Sequence, residues 1–203
     1  MSIEIKISRR LIPYKFALKY MNSRVDDLKK GKNKELLWIL EHPTTFTSGI
    51  RSKKTEIIDS KIKLFKTNRG GKITLHNPGQ KVIYVVLNLN KRKKDIRNLV
   101  QQLEKSVIEF LKIYKIKSFA DRKKIGIWVK DKKISAIGIK VSRWIAYHGV
   151  SINIKNNLID YKKILPCGLD NNKITSIKNE GIKNIKKINY NLKRIFIKNI
   201  RKI

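Results

Sequence analysis

The chain has 203 residues and one cysteine, and carries a formal charge of +34 at pH 7. A single domain of this length buries roughly 70% of its unfolded surface, so it folds without staples, and one cysteine excludes both an internal disulfide and a Cys-based zinc site. The N-terminal stretch MSIEIKISRRLIPY lacks the apolar core and small-residue cleavage site of a signal peptide, and no apolar run approaches the ~18 residues of a membrane span. The expectation is a cytoplasmic protein without membrane association.

The elements read in order as follows. Phe16, Ala17, Tyr20, Met21, Val25 and Leu28 recur at helical spacing between Pro13 and Lys30, with Gly31 as a stop. ELLWILEHP (35–43) is a continuous apolar run closed by Pro43, and KVIYVVLNLN (81–90) is a second, rich in β-branched residues; both predict buried strands. Residues 95–116 place Ile96, Leu99, Leu103, Val107 and Phe110 on one stripe behind an Asp95 N-cap, which predicts a helix. IGIWVK (125–130), ISAIGIKVS (134–142) and WIAYHGVSINI (144–154) predict an antiparallel meander, with Asp131-Lys132-Lys133 as its first turn. A last amphipathic helix is expected over 182–203. Helices mixed with antiparallel strands give a single α+β domain spanning 1–203.

The charge is less informative than its size suggests. Basic residues are spread from Lys6 to Lys202, and only 11 of the 49 are Arg, the residue suited to bidentate reading of bases and phosphates. Lys, Ile and Asn are over-used together even in core-like segments, which points to a compositional bias and argues against nucleic acid. An acidic protein partner is compatible with the charge.

Three loops differ from ordinary connectors. NRGGKITLHNPGQ (68–80) has a glycine pair that permits close backbone approach, the donor fork of Arg69, and the polar Thr74 and His76; its spacing is not that of a Walker A loop. Lys133 stands at the start of a strand, beside the small residues Ser135, Ala136 and Gly138. Pro166-Cys167-Gly168 puts the lone cysteine on a loop and not in a core pattern. A thiolate there would need a neighbouring positive charge or a base, and His76 and His148 are the histidines available for a Cys/His pair, with His42 the third.

Together these stretches resemble the lipoyl(octanoyl) transferases, members of the biotin/lipoate protein ligase superfamily. EHPTTFTSG (41–49), NRGGKITLHNPGQ (68–80), KIGIWVKDKKISAIGIKVSRWIAYHGVSINI (124–154) and ILPCGLDNNKITSI (164–177) match in order and spacing. Asn77 departs from the usual glycine, and Val150-Ser151 from a common Phe-Ala. The resemblance implies a mixed, largely antiparallel sheet packed by helices, with a smaller sheet alongside. It implies transfer of an octanoyl group from octanoyl-acyl carrier protein to a lysine of lipoyl domains, through a thioester on Cys167. Lys133 would lower the thiol pKa. Arg69, Gly70, Gly71, Lys72, Ile73, Thr74, Leu75 and His76 would form one substrate-binding segment, and Ala136, Ile137, Gly138, Gly149, Val150 and Ser151 two more. No cofactor and no metal is implied, because the thioester carries the activation. The implied partners are octanoyl-acyl carrier protein, the lipoyl domains of 2-oxoacid dehydrogenase E2 subunits and the glycine cleavage H protein, with the enzyme a monomer. The alternative is an ATP-dependent lipoate- or acyl-protein ligase of the same fold, which needs no cysteine.

Overall fold

A computed structural model describes residues 2–121, 124–165 and 173–203. Seven strands form one sheet in the order β1 (Ile3–Leu11), β2 (Glu35–Glu41), β6 (Gln80–Asn88), β10 (Ile145–Asn153), β9 (Lys132–Ser142), β8 (Ile127–Val129), β7 (Phe119–Ala120). Only the β1–β2 pair is parallel; the others run antiparallel. A parallel pair needs a crossover, and α1 (Tyr14–Lys29) supplies it. A second sheet, β4 (Leu64–Lys66), β3 (Thr45–Ser48) and β5 (Thr74–His76), sits in the excursion between β2 and β6.

The large sheet is covered on both faces, which explains the unbroken apolar runs of β2 and β6. On one face Leu37, Ile39, Ile83, Val85, Ala146 and Ile152 meet Leu103 and Phe110 of α2 (Ile96–Ile113) and Phe196 of α3 (Ile188–Ile200). On the other, Leu36, Trp38, Leu40, Val82, Tyr84 and Val86 meet Ala17, Met21 and Val25 of α1. Asp95 caps α2 as expected, accepting from Asn98 N at 2.9 Å.

Four sequence expectations change in detail. β1 escapes the sequence reading, because its outer edge is solvated and Ile5, Ile7 and Leu11 are exposed. The 68–80 stretch is not a loop between a helix and a strand: it follows β4 and contains β5, with Ile73 and Leu75 fully buried. The first meander turn is Lys130-Asp131, with Lys130 at φ +52, so Lys132 and Lys133 belong to β9. The last helix starts at Ile188, not 182, after Lys187 in the left-handed region; Ile182 and Ile185 pack on the α2–α3 core without being helical. Among the described residues no helix is long and apolar enough to cross a membrane.

Candidate active site

α1 covers β2, β6 and the Ile145–Tyr147 end of β10, while the rest of β10 and β9 faces the small sheet and the 68–72 loop. A cavity remains between them. Arg69, Gly71, Lys72, Thr74 and His76 line it from above; Ala136–Gly138 and Gly149–Ser151 line it from below, and Val82, Tyr84, His148 and Tyr14 complete the wall. The three segments singled out in the sequence are thus brought together. Ile73 and Leu75 point away, into a small core with Phe46, Tyr161 and Ile164. Gly70 serves by close approach: its amide donates to Ile139 O at 3.3 Å, and a Cβ there would lie 2.9 Å from that same oxygen. Val150 borders the cavity but packs in the α2–α3 core. Of the Val150-Ser151 departure, Ser151 is therefore the residue outside that core.

Arg69 is buried, and its fork is turned inward. One nitrogen donates to Thr47 O at 2.8 Å and Thr47 Oγ1 at 2.9 Å, the other to Gly70 O at 3.0 Å. This ties β3 to the glycine pair and holds a permanent positive charge at the cavity wall.

Three buried histidines lie on this side of the sheet, and His76 and His148 feel that charge. His42 Nδ1–H donates to Ile12 O at 2.5 Å, so its Nε2 accepts from the Tyr84 hydroxyl at 2.9 Å. Gln80 Nε2 donates to Leu75 O, Asn153 Oδ1 and Tyr161 Oη, which leaves Gln80 Oε1 to accept from His76 Nδ1–H at 2.7 Å. His148 Nε2–H donates to Asn68 Oδ1 at 2.8 Å, while Asn68 Nδ2 donates to Tyr147 Oη at 3.0 Å. Burial is the main cause that lowers their pKa values from 6.5, to about 4 for His42 and about 3 for His76 and His148. All three are neutral at pH 7, and their neighbours fix the tautomers. His148 also sits at φ +70 within a strand, and its buried Nδ1 has no hydrogen-bond partner among the described residues. Strain of this kind concentrates at functional sites.

Lys133 stands apart from this cavity wall. It is buried, and its ammonium donates to Ile125 O at 2.7 Å and lies 5.7 Å from the Trp128 ring centre. Gly126 makes the slot: at φ +136, a Cβ there would fall 2.3 Å from Lys133 Cε and 2.6 Å from Ser135 O. Sequence reasoning missed Gly126, since only the packed structure shows what it accommodates. Cys167 lies outside the described residues, as do the rest of 166–172. The chain on either side is pinned: Leu165 N donates to Glu56 O at 2.8 Å, and Thr175 N donates to Lys133 O at 3.0 Å, beside an Ile174–Lys133 bridge. Asn153 Nδ2 holds Thr175 O at 2.9 Å, within the Gln80 network. Asn77 joins the same network, donating to Asn157 O and accepting from Asn156 Nδ2, so the departure from glycine is put to use.

A family model, the lipoyl protein ligase A/B catalytic domain, matches residues 13–194. The chain belongs to that family. It is 43% identical to an octanoyltransferase of Ehrlichia chaffeensis, covering 89% of this chain and 87% of that one. It is 39% identical to an octanoyltransferase of a Wolbachia from Brugia malayi, covering 89% and 91%. Its relatives make it an enzyme of the acyltransferase class. Among solved structures it is similar to a putative lipoate protein ligase from Thermoplasma acidophilum with bound lipoic acid (TM-score 0.74, 14% identity, 99% of this chain and 87% of that one). It is also similar to a lipoate-protein ligase A bound with ATP (TM-score 0.75, 15% identity, 98% and 86%). At such identity the structures speak for the fold, which is the biotin/lipoate ligase type expected.

Proposed function

We propose that this family member transfers an octanoyl group from octanoyl-acyl carrier protein to a lysine of a lipoyl domain, by way of a thioester on Cys167. What supports this reading is the buried Lys133 ammonium at the point where the chain returns from the 166–172 segment, in a chain 43% identical to an octanoyltransferase. A positive charge near a thiol favours the thiolate, the nucleophilic form. The Cys167 thiolate attacks the octanoyl carbonyl; the carrier's C–S bond breaks, and its sulfur leaves as a thiol after taking a proton. The lipoyl-domain lysine, as a free amine, then attacks the new thioester. An amide forms, the Cys167–acyl bond breaks, and the proton lost by the amine returns to the Lys133–Cys167 pair. Splitting the transfer in two eases each step. The segments 69–76, 136–138 and 149–151 hold the acyl group.

The acceptors are the lipoyl domains of 2-oxoacid dehydrogenase E2 subunits and the glycine cleavage H protein. The enzyme acts as a monomer in the cytoplasm, where thiols stay reduced. Intact-protein mass after mixing with octanoyl-acyl carrier protein, without ATP, tests the reading. One octanoyl adduct on the wild type, absent from Cys167→Ala and discharged by a lipoyl domain, is expected. A folded wild type that takes no adduct, or a Cys167→Ala variant that stays active with ATP, would overturn it.

A further inference from the structure

The cavity floor runs across three neighbouring strands. Ala136 and Gly138 of β9 face Ser151 and Gly149 of β10, which in turn face Val82 and Tyr84 of β6. The first four side chains are small or absent, so a groove lies across β9 and β10. At β6 the side chains become large, and Tyr14 stands over them from the first turn of α1. Its ring stacks on His76 (5.8 Å between centres, 15° between planes) and lies 5.2 Å from His42 and 6.1 Å from Phe65. Tyr14 is 3% exposed, and its hydroxyl, near Arg69, Thr67 and Tyr84, makes no well-formed hydrogen bond among the described residues. Its ring, packed among these aromatic neighbours, closes that end of the groove.

We infer that Tyr14 is the stop that sets the length of acyl chain this enzyme accepts. The inference rests on the acyl-transfer reading above. From β9 to β6 is two strand spacings, about 9–10 Å, and an extended eight-carbon acyl chain also spans roughly 9 Å. A chain whose carbonyl lies over β9 therefore brings its terminal methyl to the Tyr14 ring as it crosses β6. Longer chains meet a ring held on three sides by other aromatic residues, and shorter ones leave a void against it. Pro13, immediately before Tyr14, and the bond from His42 to Ile12 O fix the helix start, so the stop is rigid and discriminates sharply.

The test compares wild type, Tyr14→Leu, Tyr14→Ala and Tyr14→Trp in two assays: acyl transfer from C6 to C14 acyl-carrier proteins, and binding of the free C6 to C14 fatty acids. Tyr14→Leu and Tyr14→Ala are expected to raise the rate ratio of C12 to C8 at least ~10-fold, and Tyr14→Trp to move the optimum below C8. The fatty-acid series is expected to shift in the same sense, which holds even if the transfer chemistry proves different. Tyr14→Leu keeps an apolar core residue should Tyr14→Ala fail to fold. A folded Tyr14→Leu variant with the wild-type length profile in both assays would overturn the inference. If the wild type transfers no acyl group while fatty-acid length preference still follows residue 14, the reaction reading falls and the stop stands.

Discussion

The two faces of the large sheet are built to different ends. Against α2 and α3 lies an apolar core, where Leu37, Val85, Leu103, Phe110 and Phe196 are fully buried. Against α1 and the small sheet, equally buried positions hold His42, His76, His148, Arg69, Gln80 and Asn153, each fixed by specific hydrogen bonds. One strand can serve both faces: in β6, Ile83 and Val85 point to the first and Val82 and Tyr84 to the second. Apolar packing stabilises both faces, but on the second part of the buried volume is given to polar groups around the cavity.

That contrast is open to direct attack. The largest effect is expected from Lys133→Met, which keeps the volume of the slot beside Gly126 and removes the charge. The rate of acyl-enzyme formation should fall about 10²–10⁴-fold with an unchanged unfolding midpoint, as read by intact mass and thermal unfolding. Phe110→Ala, on the apolar face, should do the reverse: a loss of about 3–5 kcal/mol of stability, measured by urea unfolding, with transfer per folded molecule unaltered.

Acid should act through the polar face. His42, His76 and His148 are held neutral in the fold, at about 4, 3 and 3, while the unfolded chain takes up protons near 6.5. They cost no stability above pH 6.5; below it stability falls, until about pH 4 for His42 and about 3 for His76 and His148. At ~1.4 kcal/mol per pH unit per group, lowering the pH to 5.5 should remove about 4 kcal/mol. Thermal unfolding across pH 7.5 to 5.5 should show the midpoint dropping by about 10 °C, and substituting the polar face's histidines should flatten the slope. The smallest effect concerns the +34 charge. If it steers an acidic carrier protein, kcat/KM should fall about threefold between low and physiological salt, whereas a small octanoyl thioester should be indifferent.

The sequence carried the apolar face more fully than the polar one. β2 and β6 read as unbroken apolar runs because both their faces are buried, and α2 shows a helical period because one face is. β5 is three residues long and exists only because β3 pairs with it across the 25 positions between Ser48 and Thr74; no local pattern announces such a strand. The Arg69–His76 segment, Lys133 and the two strand segments could be picked out through glycine pairs, a turn and the family resemblance. Tyr14, Asn68 and Gly126 could not, since each acts through a residue distant in sequence: Tyr14 through His76, Asn68 through His148, and Gly126 through the path of the Lys133 side chain.

Everything between Glu41 and Gln80 leaves one strand and returns on its immediate neighbour. Glu41 closes the neck of this excursion, accepting from Gly79 N at 2.7 Å and pairing with Lys81 at 2.8 Å. The small sheet and the Arg69 loop are thereby a roof inserted at one neck of the chain, braced from outside by the Tyr161–Ile164 core and the Leu165–Glu56 bond. Closing a flexible loop costs only slightly more as it lengthens, so the roof could be recut for another acyl group while the seven-stranded floor, and the helix pair beneath it, stayed as they are.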